Sequence, residues 1–96
     1  MSDEHFINGE LRSAEQDRQS VMHFAEGMLD KLGKNRHKAH WSNAQQEYLW
    51  SRLVEELNEL RSALDYQNDK LNIIQECYDV ANFAMMIADN LKEENE

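Results

Sequence analysis

The chain has 96 residues, 41% hydrophobic and 30% charged, with no proline, three glycines, one cysteine and a formal net charge of −9. That length fits a single domain spanning residues 1–96. A lone core of this size buries only about 60 to 65% of the unfolded surface, so burial against a second subunit is expected. The missing proline and scarce glycine exclude the turn-rich sandwiches and barrels, leaving an all-α chain, and 19 acids against 10 bases exclude general nucleic-acid binding, which rests on clustered cations.

The start, MSDEHFINGEL, lacks the basic and apolar pattern of a secretory signal, and about the first 12 residues read as peripheral. The spacing of Val21, Phe24, Ala25, Met28, Leu29 and Leu32 predicts a first helix over 13–32, with Gly33 at its stop. A polar, basic and aromatic connection, GKNRHKAHWSN, follows, and Ser42 or Asn43 is placed to cap a second helix over 44–66. Its apolar stripe is Tyr48, Leu49, Leu53, Leu57, Leu60 and Leu64. Asn68 and Asp69 mark a turn into a third helix over 71–91, and the last five residues read as a solvated, frayed tail. Cys77 on that third helix forms no intrachain disulfide, which points to a reducing, cytoplasmic setting. No segment approaches the roughly 20 apolar residues of a membrane span, so no membrane partner is expected.

The charge is unevenly spread. Residues 1–30 hold seven acids and two bases, residues 31–52 one acid and five bases, and residues 53–96 eleven acids and three bases. Two acidic pairs stand out at helical spacing. Glu56 and Glu59 are three apart on the second helix, at the flank of its apolar stripe, with Glu55 pointing away from the core. Glu76 and Asp79 repeat the spacing on the third helix, on a face shared with Asn72, Asn82 and Phe83. Residues 71–91 contain no Lys or Arg to offset them. If the two helices pack antiparallel, four carboxylates meet, and like charges that close raise one another's pKa unless a cation neutralises them. An all-oxygen ligand set favours a hard divalent ion, one or more than one.

The arrangement Glu56-xx-Glu59, sixteen residues, then Glu76-xx-Asp79 resembles the ExxE…ExxD motif of the all-α nucleoside triphosphate pyrophosphohydrolases, the MazG-like group that includes dimeric dUTPases and phosphoribosyl-ATP pyrophosphohydrolases. LVEELNEL looks like the first motif helix, ECYDVANFAMMI like the second, and KNRHKAHW like the segment that precedes them, so the likeness covers about residues 20–91. It implies Mg²⁺-dependent hydrolysis of a ribo- or deoxynucleoside triphosphate to monophosphate and pyrophosphate, with Mn²⁺ able to substitute. It implies Glu56, Glu59, Glu76 and Asp79 as metal ligands. Either Glu59 or Glu55 is a candidate general base. The helical hairpin would assemble into a four-helix-bundle-type homodimer or homotetramer.

Further candidates carry two readings each. Asn82 binds a sugar or phosphate oxygen, or is a helix-surface amide. Lys34 and Lys38 hold phosphates, or merely solubilise the loop. Trp41 stacks on a base, or staples the start of the second helix. His37 and His40 lack the ligand pattern of a zinc site. The alternative to catalysis is an acidic helical module that binds a basic partner or mimics DNA.

Overall fold

The computed structural model describes residues 11–67 and 69–94 and is all-helical over them. Helix α1 spans Ala14–Lys34, α2 spans Gln46–Ser62 and α3 spans Lys70–Glu94. A 3₁₀ turn, Trp41–Asn43, precedes α2, and a π-helical turn, Ala63–Gln67, follows it. The peripheral segment expected over the first 12 residues lies largely outside the described residues, as do Asn68 and the final two positions.

Ser13 starts α1 with a reciprocal cap: its Oγ accepts from the Gln16 N–H, and the Gln16 side chain accepts from the Ser13 N–H. Glu15 and Asp17 in the first turn, and Lys31 and Lys34 in the last, complement the helix dipole. The helix runs past Leu32. Gly33, expected as the stop, lies inside the final turn, and Asn35 closes the helix by donating its backbone N–H to Leu32 O and its Nδ2 to Lys31 O.

Neither Ser42 nor Asn43 caps α2. The Ser42 N–H is used on His40 Nδ1 and the Ala44 N–H on Trp41 O, which winds these residues into the 3₁₀ turn and moves the helix start to Gln46, with Gln45 as cap. Helix α3 begins at Lys70, just after Asp69, whose Oδ1 accepts from the Leu71 and Asn72 N–H groups. It continues through Glu94 rather than ending at Leu91, because Lys92 and the two glutamates after it are good helix formers with no glycine or proline to stop them.

Helices α2 and α3 form an antiparallel hairpin. Arg52 faces Phe83, Glu56 faces Asp79, and Gln67 faces Asn72, so residue numbers rise on one helix as they fall on the other. Helix α1 packs on α3 rather than on α2. Its approach depends on Gly27: a Cβ there would lie 2.0 Å from Tyr78 Cζ, and the Tyr78 ring is itself packed against Phe24 at 4.9 Å. Asn82, 4% exposed, donates to the Met28 carbonyl and ties the same two helices.

Gly27→Ala is therefore expected to lower the melting temperature by several degrees. The overlap costs about 1 to 3 kcal/mol, which outweighs the ~1 kcal/mol gained from alanine's helix propensity. Gly33→Ala, whose Cβ meets Arg36 only at 3.7 Å, is expected to raise it. Thermal melts of the two variants check the contrast.

The interior face of α2 differs from the expected stripe. Leu49 and Ala63 are fully buried, and Leu53 and Leu60 are half-buried. Glu56, expected at the flank, is only 6% exposed, while Leu57, expected within the stripe, is 44% exposed, and Tyr48 and Leu64 also face outward. The helix is rotated so that Glu56 lies on the inward face together with Leu49, Leu53 and Leu60, while Glu59, Leu57 and Leu64 turn outward. Trp50, Leu57 and Leu64 are left exposed at seven-residue intervals.

Candidate divalent-cation site

The hairpin register brings the two acidic pairs together midway along α2 and α3. Glu56, Glu76 and Asp79 each offer a carboxylate oxygen within 4.8 Å of the others. Glu59 stands beside them: its side chain bonds to Glu56, and its charge acts on both Glu56 and Glu76. Three of the four expected carboxylates thus converge, with the more exposed Glu59 next to them. Glu55 does not join. It is exposed and paired with Arg52, which leaves Glu59 as the general-base candidate at the cluster.

Burial and mutual repulsion show in the electrostatics. Glu56 is raised from 4.5 to about 7, first by burial, then by the bond to and charge of Glu59, then by the charge of Asp79, with Arg52 opposing. Glu76 is raised too, again by burial first and then by Glu59 and Asp79. One oxygen of each, Glu56 Oε2 and Glu76 Oε2, is buried with no hydrogen-bond partner. A buried carboxylate oxygen without a partner costs free energy, a cost that a proton, a water or a cation relieves. Three converging oxygen donors, with an unpartnered oxygen on each of the two glutamates, fit a hard divalent cation; without nitrogen or sulfur donors they do not fit zinc.

Two cations from outside α3 border the cluster, and neither was singled out by residue spacing. Arg52 Nη2 lies 3.1 Å from Glu56 Oε1, and its guanidinium sits 5.2 Å from the Phe83 ring centroid. Lys31 Nζ lies 3.2 Å from Asp79 Oδ2. The signal for Lys31 was its spacing from Phe24, Gly27 and Met28, which places all four on the face of α1 that meets α3. An open polar groove of about 380 Å³ is lined by Asn58, Glu59, Ser62, Gln67, Asn72 and Glu76. It adjoins the cluster through two of its carboxylates.

The remaining expected site residues stand elsewhere. Asn82 is buried between α1 and α3 rather than at a helix surface, and its Oδ1 is unpartnered. Lys34 and Lys38 are exposed. Trp41 is anchored to the end of α3: its Nε1 donates to Asp89 Oδ2 at 3.0 Å, and its carbonyl accepts from Asn90 Nδ2 at 3.0 Å. Asp89 is ten residues beyond Asp79, about 15 Å along the helix. Within one chain Trp41 therefore packs and does not meet the carboxylates.

No family model matches the chain, and no curated protein or solved structure matches it at a significant level.

Proposed function

We propose that the chain is a divalent-cation-dependent nucleoside triphosphate pyrophosphohydrolase. The observation that carries this reading is the convergence of Glu56, Glu76 and Asp79 within 4.8 Å, with buried, unpartnered oxygens on both glutamates and Glu59 alongside. The motif resemblance supplies the reaction class. Glu56, Glu76 and Asp79 would hold Mg²⁺ or Mn²⁺, and Glu59, more exposed than Glu56, is suited to orient a water and accept its proton. The bound ion would supply charge neutralisation for the triphosphate and for the pyrophosphate leaving group. The adjoining groove offers amides and a hydroxyl to an uncharged, hydrogen-bonding part of the substrate, such as a base or sugar. Burial favours this reading over an acidic surface module: charge displayed to a basic partner or in imitation of DNA is solvent-facing, whereas Glu56 is inside the helix contact.

A pyrophosphate-release screen over ribo- and deoxynucleoside triphosphates, with Mg²⁺ and with chelator, tests the proposal. Release from at least one triphosphate, abolished by chelator and by Asp79→Asn, is expected. Absence of release from every triphosphate, or full turnover in Asp79→Asn, contradicts it.

Self-association belongs to the same reading. Among the described residues only Leu49 and Ala63 are fully buried apolar side chains, and the Trp50, Leu57 and Leu64 ridge is uncovered. A second copy of this chain covers it as helices meet in a bundle, with seven-residue spacing suited to that contact. Light scattering is expected to give a multiple of 11.3 kDa; a species of 11.3 kDa alone contradicts it.

A further inference from the structure

Lys31 is the cationic side chain that α1 brings to the carboxylate cluster. It lies one turn beyond Gly27, whose missing Cβ lets α1 approach Tyr78, the residue before Asp79. Its Nζ is 3.2 Å from Asp79 Oδ2, and both side chains are more than three-quarters buried. The two cations at the cluster differ in freedom. Arg52 is held by Glu55, by Glu56 and by the face of Phe83, so its planar fork has three partners. Lys31 has one ion-pair partner among the described residues and carries its charge on a flexible four-carbon stem.

That partner is one of the three most closely converging carboxylates. A divalent cation on Asp79 weakens its pair with Lys31, because two positive charges then compete for one carboxylate. Lys31 is then a desolvated ammonium within a side chain's reach of the cluster, where an anion carried by the cation would lie. We propose that Lys31 is a substrate-phosphate ligand, held on Asp79 in the empty protein and transferred to a phosphate oxygen of a cation-bound polyphosphate. The inference rests on the cation-dependent triphosphate reading above, and it assigns to Lys31 the role expected of Lys34 and Lys38.

Binding measurements on the full chain test it without turnover: Mn²⁺ alone by paramagnetic resonance, then inorganic triphosphate added to the Mn²⁺-loaded protein by calorimetry. Lys31→Met is expected to bind Mn²⁺ as well as the wild type or up to about fivefold more tightly, since a competing ion pair has been removed. It is expected to bind triphosphate about tenfold or more weakly, the cost of one charge-assisted bond. Lys31→Arg keeps the charge and is expected to recover most of that loss. Unchanged triphosphate binding in Lys31→Met overturns the inference and leaves the cation site standing. Parallel loss of Mn²⁺ and triphosphate also overturns it, since Lys31 then only supports the fold. A wild-type chain that binds no Mn²⁺ overturns this inference together with the reading beneath it.

Discussion

Replacing Glu56 by glutamine is expected to make the cation-free protein more stable and the enzyme inactive. Glu56 is buried, carries an unpartnered oxygen and faces the negative charges of Glu59 and Asp79, so its ionised form is strained in the fold. The amide keeps the shape and removes the charge. It weakens one Arg52 contact, but Arg52 retains Glu55 and Phe83. The net gain at pH 8 is expected to be about 1 to 2 kcal/mol, several degrees in melting temperature for a chain this small. Pyrophosphate release should fall by at least about a hundredfold, equivalent to roughly 3 kcal/mol of barrier, because a cation ligand is gone. The stabilisation by added Mn²⁺ should shrink with it. Thermal melts with and without Mn²⁺, read beside turnover, check all three effects. A variant that is less stable without metal and still active contradicts the assigned role.

The second large effect is on pH dependence. Glu56 titrates near its ordinary 4.5 in the unfolded chain and at about 7 in the folded one. Above pH 7 both forms are ionised and the fold bears the full cost; below pH 4.5 both are protonated and the cost is absent. Stability of the cation-free protein should therefore rise as pH falls from about 7 towards 4.5, by up to about 3 kcal/mol, with Glu76 contributing in the same direction. Exposed pairs such as Arg61 with Asp65 and Arg18 with Glu15 offset little of this. Saturating Mn²⁺ should reverse the slope, because the cation binds the ionised carboxylates and must displace the proton from Glu56. Denaturant titrations from pH 5 to 8 measure both slopes. A cation-free protein that loses stability on acidification from pH 7 to 5 contradicts the strained cluster.

The features legible in the sequence were those that one helix carries by itself. The Ser13 start of α1, the three helical segments and the three-residue spacing of Glu56 with Glu59 and of Glu76 with Asp79 all depend on local periodicity. The structure brings Glu56, Glu76 and Asp79 together, with Glu59 beside them, because the hairpin is antiparallel. What a single helix cannot say is how it is rotated against its neighbour. The leucines of α2 span a wide enough arc to allow two faces, and the face containing Leu49, Glu56 and Ala63 packs on α3 while Leu57 turns outward. Ion pairs between elements were likewise hidden. Residues 71–91 contain no base of their own, yet α1 supplies Lys31 to Asp79 across a contact that exists only because Gly27 admits Tyr78. Trp41 offered no means of choosing between stacking and packing until Asp89 and Asn90 were seen to hold it.

The central claim is that Glu56, Glu76 and Asp79 hold a divalent cation, and a Mn²⁺-soaked crystal tests it most directly. Anomalous scattering at the manganese edge is predicted to give a peak bounded by these three carboxylates, with oxygen distances of roughly 2.0 to 2.4 Å. A well-diffracting soaked crystal with no peak between them contradicts the account.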